Sequence, residues 1–118
     1  MSGDPHLGSV GEWLAVRYFQ SRGYVLLETN WRYARFEIDL IAALGKVLHI
    51  VEIKARASDR HGLPEDSVDD RKVRRLMQAG ARYMYLHPQW IQVQYDVLSI
   101  RIFKDRAPEF FLIEDIWE

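Results

Sequence analysis

Apolar residues at Leu7, Val10, Leu14, Val16, Tyr18 and Phe19 recur with roughly helical spacing as far as Arg22, and Gly23 follows where a C-terminal cap belongs. This pattern predicts a first helix. Tyr24 to Thr29 is rich in strand formers, and Trp31 to Leu44 continues as strand with a turn near Tyr33 to Arg35. Ala43-Leu44-Gly45-Lys46 reads as a tight turn before Val47 to Lys54, so these runs form a hairpin. Its strands are nearly continuously apolar, as expected where both faces are covered. Ala57 to Asp69 is polar, contains Gly62 and Pro64, and has little periodicity. It reads as a loop able to act as a flap over the hairpin. Asp69 or Asp70 caps a second helix running to about Leu86, with Val73, Leu76, Met77, Gly80 and Met84 inward and Pro88 beyond its end. Ile91 to Phe103 and Glu109 to Trp117 are two further strands, separated by a turn around Lys104 to Pro108. The order is α-β-β-β-α-β-β, an α+β sandwich around one central mixed sheet.

Length and composition fit a single domain over residues 1–118: 48% of the residues are hydrophobic, enough to bury a core without staples. The absence of cysteine excludes disulfides and thiolate-metal sites and fits a reducing cytoplasm. His6, His49, His61 and His87 share no ligand-like spacing, which argues against zinc. No apolar run approaches the roughly 18 residues of a membrane span. The net charge of -1 argues against a uniformly basic nucleic-acid binder, but Arg71, Lys72, Arg74, Arg75 and Arg82 cluster on the second helix. Twelve of the sixteen basic residues are arginine, whose planar fork suits phosphate.

The chemistry concentrates in Glu37-Ile38-Asp39-Leu40-Ile41 and Val51-Glu52-Ile53-Lys54. An ionised group inside such apolar strands costs several kcal/mol without a partner, so three acids and a lysine there ask for a reason. Alternation puts Glu37, Asp39 and Ile41 on one face and Ile38, Leu40 and Ala42 on the other, while Glu52 and Lys54 share a face. The hairpin register brings Asp39 and Glu52 toward one point. These two carboxylates and the backbone carbonyl of Ile53 form a hard-oxygen site for Mg²⁺ or Mn²⁺, completed by waters and a substrate phosphate. Lys54 beside it would orient or deprotonate an attacking water and offset transition-state charge. Glu12 on the first helix adds a further carboxylate, and Glu37 takes a supporting role. Arg56, Arg60, Lys72, Arg74 and Arg75 are the candidate phosphate contacts.

The residues Gly11-Glu12, Asn30-Trp31-Arg32, Glu37-Ile38-Asp39-Leu40-Ile41, Val51-Glu52-Ile53-Lys54-Ala55-Arg56, Gly62 with Pro64, Lys72 and Tyr95-Asp96 resemble the YraN-like family. That family falls in the restriction-endonuclease-like PD-(D/E)xK nucleases and is similar to archaeal Holliday junction resolvases. The resemblance spans about residues 8 to 100. It implies a restriction-endonuclease-like core and a Mg-dependent endonuclease acting on branched or structured DNA. Asp39, Glu52 and Lys54 would be its metal-and-lysine core and Glu12 its helix-one acid. Phe36 departs from the family pattern, standing where glycine usually precedes Glu-Ile-Asp.

Blander readings stand beside this one. Asp39, Glu52 and Lys54 can form a salt-bridge cluster that satisfies only itself, and the charged helix face can simply be solvated. Trp31 can stack on a base or pack on the sheet. At the level of function, the alternatives are a non-catalytic nucleic-acid-binding module and a protein-protein adaptor on the same scaffold. A homodimer would suit the cutting of two strands.

Overall fold

The computed structural model describes residues 5–57 and 68–116. Helix α1 (Pro5–Ser21) stops at Gly23, whose φ of +87° is open to a residue without Cβ. There the Tyr24 N–H donates to the Phe19 carbonyl and the Gly23 N–H to the Gln20 carbonyl, each at 3.1 Å, the Schellman pattern. Strands β1 (Val25–Tyr33), β2 (Phe36–Leu44) and β3 (Val47–Ala57) then form an antiparallel meander. Helix α2 (Asp70–Leu86) starts on Asp69, whose carboxylate accepts from the N–H groups of Arg71 and Lys72. Those bonds hold the Asp69 carboxyl below its usual pKa. Strand β4 (Gln92–Ile102) pairs parallel with β3, and β5 (Glu109–Ile113) pairs antiparallel with β4.

The result is a mixed α+β fold, an open five-stranded sheet in the order β1-β2-β3-β4-β5 with a helix on each face. The expected element order holds. Strand β3 runs past Lys54 to Ala57 because Ala55, Arg56 and Ala57 pair with Ile100, Arg101 and Ile102 of β4. Strand β5 ends at Ile113 rather than continuing to Trp117. Beyond it Asp115 turns at φ +58° and gives its N–H to Asp96 instead of to a ladder. The expected flap, with Arg60, His61, Gly62 and Pro64, lies outside the described residues.

Each face of the sheet has its own core. Leu40, Ala42, Val51, Leu98 and Ile100 pack with Ala15 and Phe19 of α1. Ile38, Ile41, Leu48, Ile50 and Tyr95 pack with Leu76, Ala79 and Tyr83 of α2. This distribution corrects the simple alternation expected of β2, because Ile38 joins the face of Ile41 and not that of Leu40. The break falls at Asp39, where β2 is out of both ladders: the β1–β2 ladder skips the Asn30–Asp39 position, with Asn30 at φ +52°, and the β2–β3 ladder stops at Leu40.

Two contacts set the packing. A Cβ on Gly80 would meet the Tyr95 ring at 2.6 Å, so α2 lies on β4 with no room for a methyl group. The second contact is polar and buried. The His49 Nδ1 lies 2.8 Å from Asp96 Oδ2, and Asp96 Oδ1 accepts from the Gln94 side chain at 3.0 Å and from the Asp115 N–H at 2.9 Å. Asp96 therefore joins β3, β4 and the segment after β5 with all its bonds inside the protein.

Gly80→Ala gains ~1 kcal/mol of helix propensity but forces overpacking that costs roughly 1–3 kcal/mol, so net destabilisation is expected in urea unfolding. An unchanged or higher midpoint would mean that α2 has slack over Tyr95. Asp96→Ala leaves the buried His49 Nδ1 and the Asp115 N–H without their partner and is expected to destabilise by about 1–3 kcal/mol for each orphaned group in the same measurement.

Candidate functional site

The hairpin opens at the point where its charges lie. Strands β2 and β3 stay paired only as far as Leu40 opposite Val51. Extending that register by one step would set Asp39 opposite Glu52, but there the side chain replaces the ladder. Asp39 Oδ2 accepts the Ile53 N–H at 2.8 Å. A carboxylate thus stands where a neighbouring strand's carbonyl would otherwise be, and the N–H is not left unpaired.

The parting strands leave an open cleft of 970 Å³. Glu37, Asp39, Glu52 and Lys54 line it from the sheet, Glu12 from α1, and Lys72 and Arg75 from α2. Asp39 has its carboxyl raised above the ordinary 3.8 chiefly by burial, with Glu52 and Glu37 adding repulsion; the Ile53 N–H and Lys54 pull the other way. Glu52 and Lys54, two apart on β3, share a face as expected and pair at 3.4 Å, both about a quarter exposed or less. The ion pair of the bland reading is thus present, but it is between Glu52 and Lys54 and leaves Asp39 out. Lys72 comes within hydrogen-bond reach of Lys54, and this neighbour, with partial burial, holds its ammonium below the usual pKa.

Glu12 reaches the cleft because α1 lies unusually close to β3. A Cβ on Gly11 would come within 2.6 Å of the Ala55 Cβ, so glycine is what lets the helix approach. Glu12 Oε2 then accepts from Asn30 Nδ2 at 2.7 Å, tying α1 to the irregular position in β1. Asn30 itself lines the cleft. Asparagine is among the residue types that most readily take positive φ, and its place beside a strand run is the sequence signal for this position.

Of the remaining candidates, Glu37 is largely exposed and pairs with Arg32 at 3.2 Å. Helical phase separates the basic residues: Lys72 and Arg75, three apart, face the cleft, and Arg74 does not line it. Arg56 lies further along β3, also outside the lining. Both Arg74 and Arg56 have interactions within the protein. Ile53 lines the cleft, and its N–H is taken by Asp39; in a strand the carbonyl of the same residue points to the same side as that N–H. Among the described residues no three acid or histidine side chains converge closely enough to hold a metal by themselves. Trp31 packs on the sheet, edge-on to Tyr83.

Because the folded Asp39 carboxyl titrates above its unfolded value, its charge opposes folding at neutral pH, and that cost fades as pH falls toward 3.8. Asp39→Asn can still accept the Ile53 N–H. It is expected to unfold at higher denaturant than the wild type at pH 7, with the gain shrinking as the wild-type carboxyl protonates. A less stable Asn variant at pH 7 would contradict the electrostatic account.

Residues 11–100 match the profile of the uncharacterised protein family UPF0102. A UPF0102 protein of Mycolicibacterium vanbaalenii is 38% identical over 111 residues, covering 93% of this chain and 92% of its own length. One from Flavobacterium psychrophilum is 37% identical over 100 residues, 85% of this chain and 82% of its own. Another from Chlorobium chlorochromatii is 41% identical over 96 residues, 81% of this chain and 74% of its own. The chain belongs to the uncharacterised protein family UPF0102, as its YraN-like motifs led one to expect.

Proposed function

We propose that the cleft is the active site of a metal-dependent endonuclease that hydrolyses phosphodiester bonds in branched or structured DNA. The observation that carries this reading is the convergence of Asp39, Glu52, Lys54 and Glu12 from three elements on one cleft whose other wall holds Lys72 and Arg75. The helix on each face and the parallel β3–α2–β4 crossover are compatible with a restriction-endonuclease-like core, and the reading includes kinship with the archaeal resolvases. A cytoplasmic setting, a nucleic-acid ligand and a homodimer belong to the same proposal. Among the described residues no helix is long and apolar enough to cross a membrane.

The donor set fits Mg²⁺ or Mn²⁺. Its side chains offer hard oxygens only, and Mg²⁺ commonly takes one or two protein carboxylates and fills its other positions with water and phosphate. Asp39 has the most to gain from a cation, since it is desolvated and repelled by two neighbouring acids. Asp39 and Glu52 would hold the ion, which supplies Lewis acidity and lowers the pKa of a bound water.

The protein's own groups do the rest. Lys54 would orient the attacking water and offset the negative charge that grows on the phosphoryl oxygens. Lys54 and Lys72 lie side by side with like charge, so a phosphate oxygen between them relieves their repulsion. Arg75 extends this anion-binding edge along α2. Glu12, fixed by Asn30, completes the acidic wall.

One observation favours a second reading, a non-catalytic nucleic-acid-binding module: Glu52 already has Lys54 as a partner. The two readings part in a cleavage assay on a labelled four-way junction and on its component duplex with Mg²⁺ or Mn²⁺. The nuclease reading expects cuts that Asp39→Ala and Lys54→Ala slow by about a hundredfold or more. Equal rates in these variants would overturn it. Salt-sensitive binding without cleavage, persisting in EDTA and in both variants, would select the binding module.

A further inference from the structure

Beside the cleft lies a cluster of aromatic rings built around a guanidinium. Arg82 of α2 stands 6.0 Å from the ring centre of Tyr33, 5.9 Å from Phe36 and 5.4 Å from Tyr85. Arg35 lies 5.6 Å over Phe36. Tyr33 is stacked on Trp31 with centroids 6.1 Å apart and planes 11° apart, and Tyr83 braces Trp31 edge-on from the core. The outer rings are not sealed in, since Tyr85 is 75% exposed and Tyr33 45%. Large apolar faces left together in water mark a recognition surface.

Charge and position narrow the partner. Among the described residues neither Arg35 nor Arg82 is in an ion pair, so rings rather than carboxylates hold them in place. Planar cations interleaved with rings offer π faces to nucleobases and positive charge to the connecting phosphates. The cluster is also continuous with the cleft, because Arg35 and Phe36 line both. On α2, Lys72, Arg75, Gln78, Arg82 and Tyr85 follow one another at three- and four-residue steps, an oblique row that winds from the cleft toward the exposed side of the helix. At 1.5 Å per residue it is roughly 20 Å long, the rise of about six stacked nucleotides. The β1–β2 turn, tightened by Ala34 at φ +54°, brings Tyr33 and Phe36 against the far end of that row.

We propose that this cluster is a stacking platform for unpaired bases, and that the cleft's ligand is nucleic acid carrying a single-stranded stretch that runs along α2 to the acids. The last part rests on the nuclease reading; binding at the platform needs no cleavage.

The test is fluorescence anisotropy in EDTA at low salt, with a labelled twelve-nucleotide oligothymidylate and a blunt duplex of the same length. The wild type is expected to prefer the single strand. Tyr33→Ala with Tyr85→Ala should weaken single-strand binding by roughly tenfold or more and leave the duplex nearly unaffected. Tyr85→Ala alone, at a largely exposed position, and Arg82→Lys, which keeps the charge but loses the planar face, should each weaken the single strand in the same selective way. Thermal melting by circular dichroism establishes that the variants fold. Absence of single-strand binding, equal loss for both probes, or unchanged affinity would overturn the platform. So would a loss of self-association on a sizing column with oligonucleotide binding intact, which would make the surface a protein contact. A wild type that binds single strands but cuts nothing with Mg²⁺ removes the nuclease reading and leaves the platform standing.

Discussion

The site depends on one exchange: where β2 and β3 part, the Asp39 carboxylate takes the Ile53 N–H that a strand carbonyl would otherwise have accepted. Without such an acceptor the opening would expose an unpaired donor at the edge of the core, and the strands would gain by zipping shut. With it, the Ile53 N–H keeps an acceptor although the sheet opens at that end. The cost moves to the carboxylate, which is held half out of water beside Glu52. A destabilised charge at the mouth of a cleft is the arrangement expected where function and stability compete.

The other elements supply that opening with walls of opposite sign. The sheet and α1 contribute the acids Glu37, Asp39, Glu52 and Glu12, whereas α2 contributes Lys72 and Arg75. Lys54 stands between, paired with Glu52 on its own strand and in reach of Lys72 across the gap. Asp96, in register with Val51 where the β2–β3 pairing ends, secures β3, β4 and the segment beyond β5 through buried polar bonds. Strands β3 and β4 stay paired from Val47–Gln92 to Ala57–Ile102, so it is the β2 side of β3 alone that opens to present charge.

Much of this was legible along the chain because charges in apolar strands are rare. Asp39, Glu52 and Lys54 stood out for that reason, and the turn at Gly45 placed them on adjacent strands. Helix boundaries followed from Asp69, Gly23 and Pro88, whose conformational preferences are local. What failed was strict alternation in β2, which breaks at Asp39 where the ladders to both neighbours are interrupted, a feature of pairing and not of the β2 residues alone. The three basic candidates on α2 could not be sorted without the docked phase of the helix, which turns Lys72 and Arg75 to the cleft and Arg74 away from its lining. Glu12 was legible only through resemblance, because its place depends on how closely a helix can settle on a sheet.

That closeness has a mechanical consequence. Gly11 presses on Ala55 from one face and Gly80 on Tyr95 from the other, and neither contact leaves the width of a methyl group. The two glycines thus set how near each helix lies to the sheet, and with it the spacing of Glu12 and Lys72 from the strands they face. A methyl group added at either glycine would therefore be felt at a distance, as a wider mouth between the acids of the sheet and the side chains the helices hold over them.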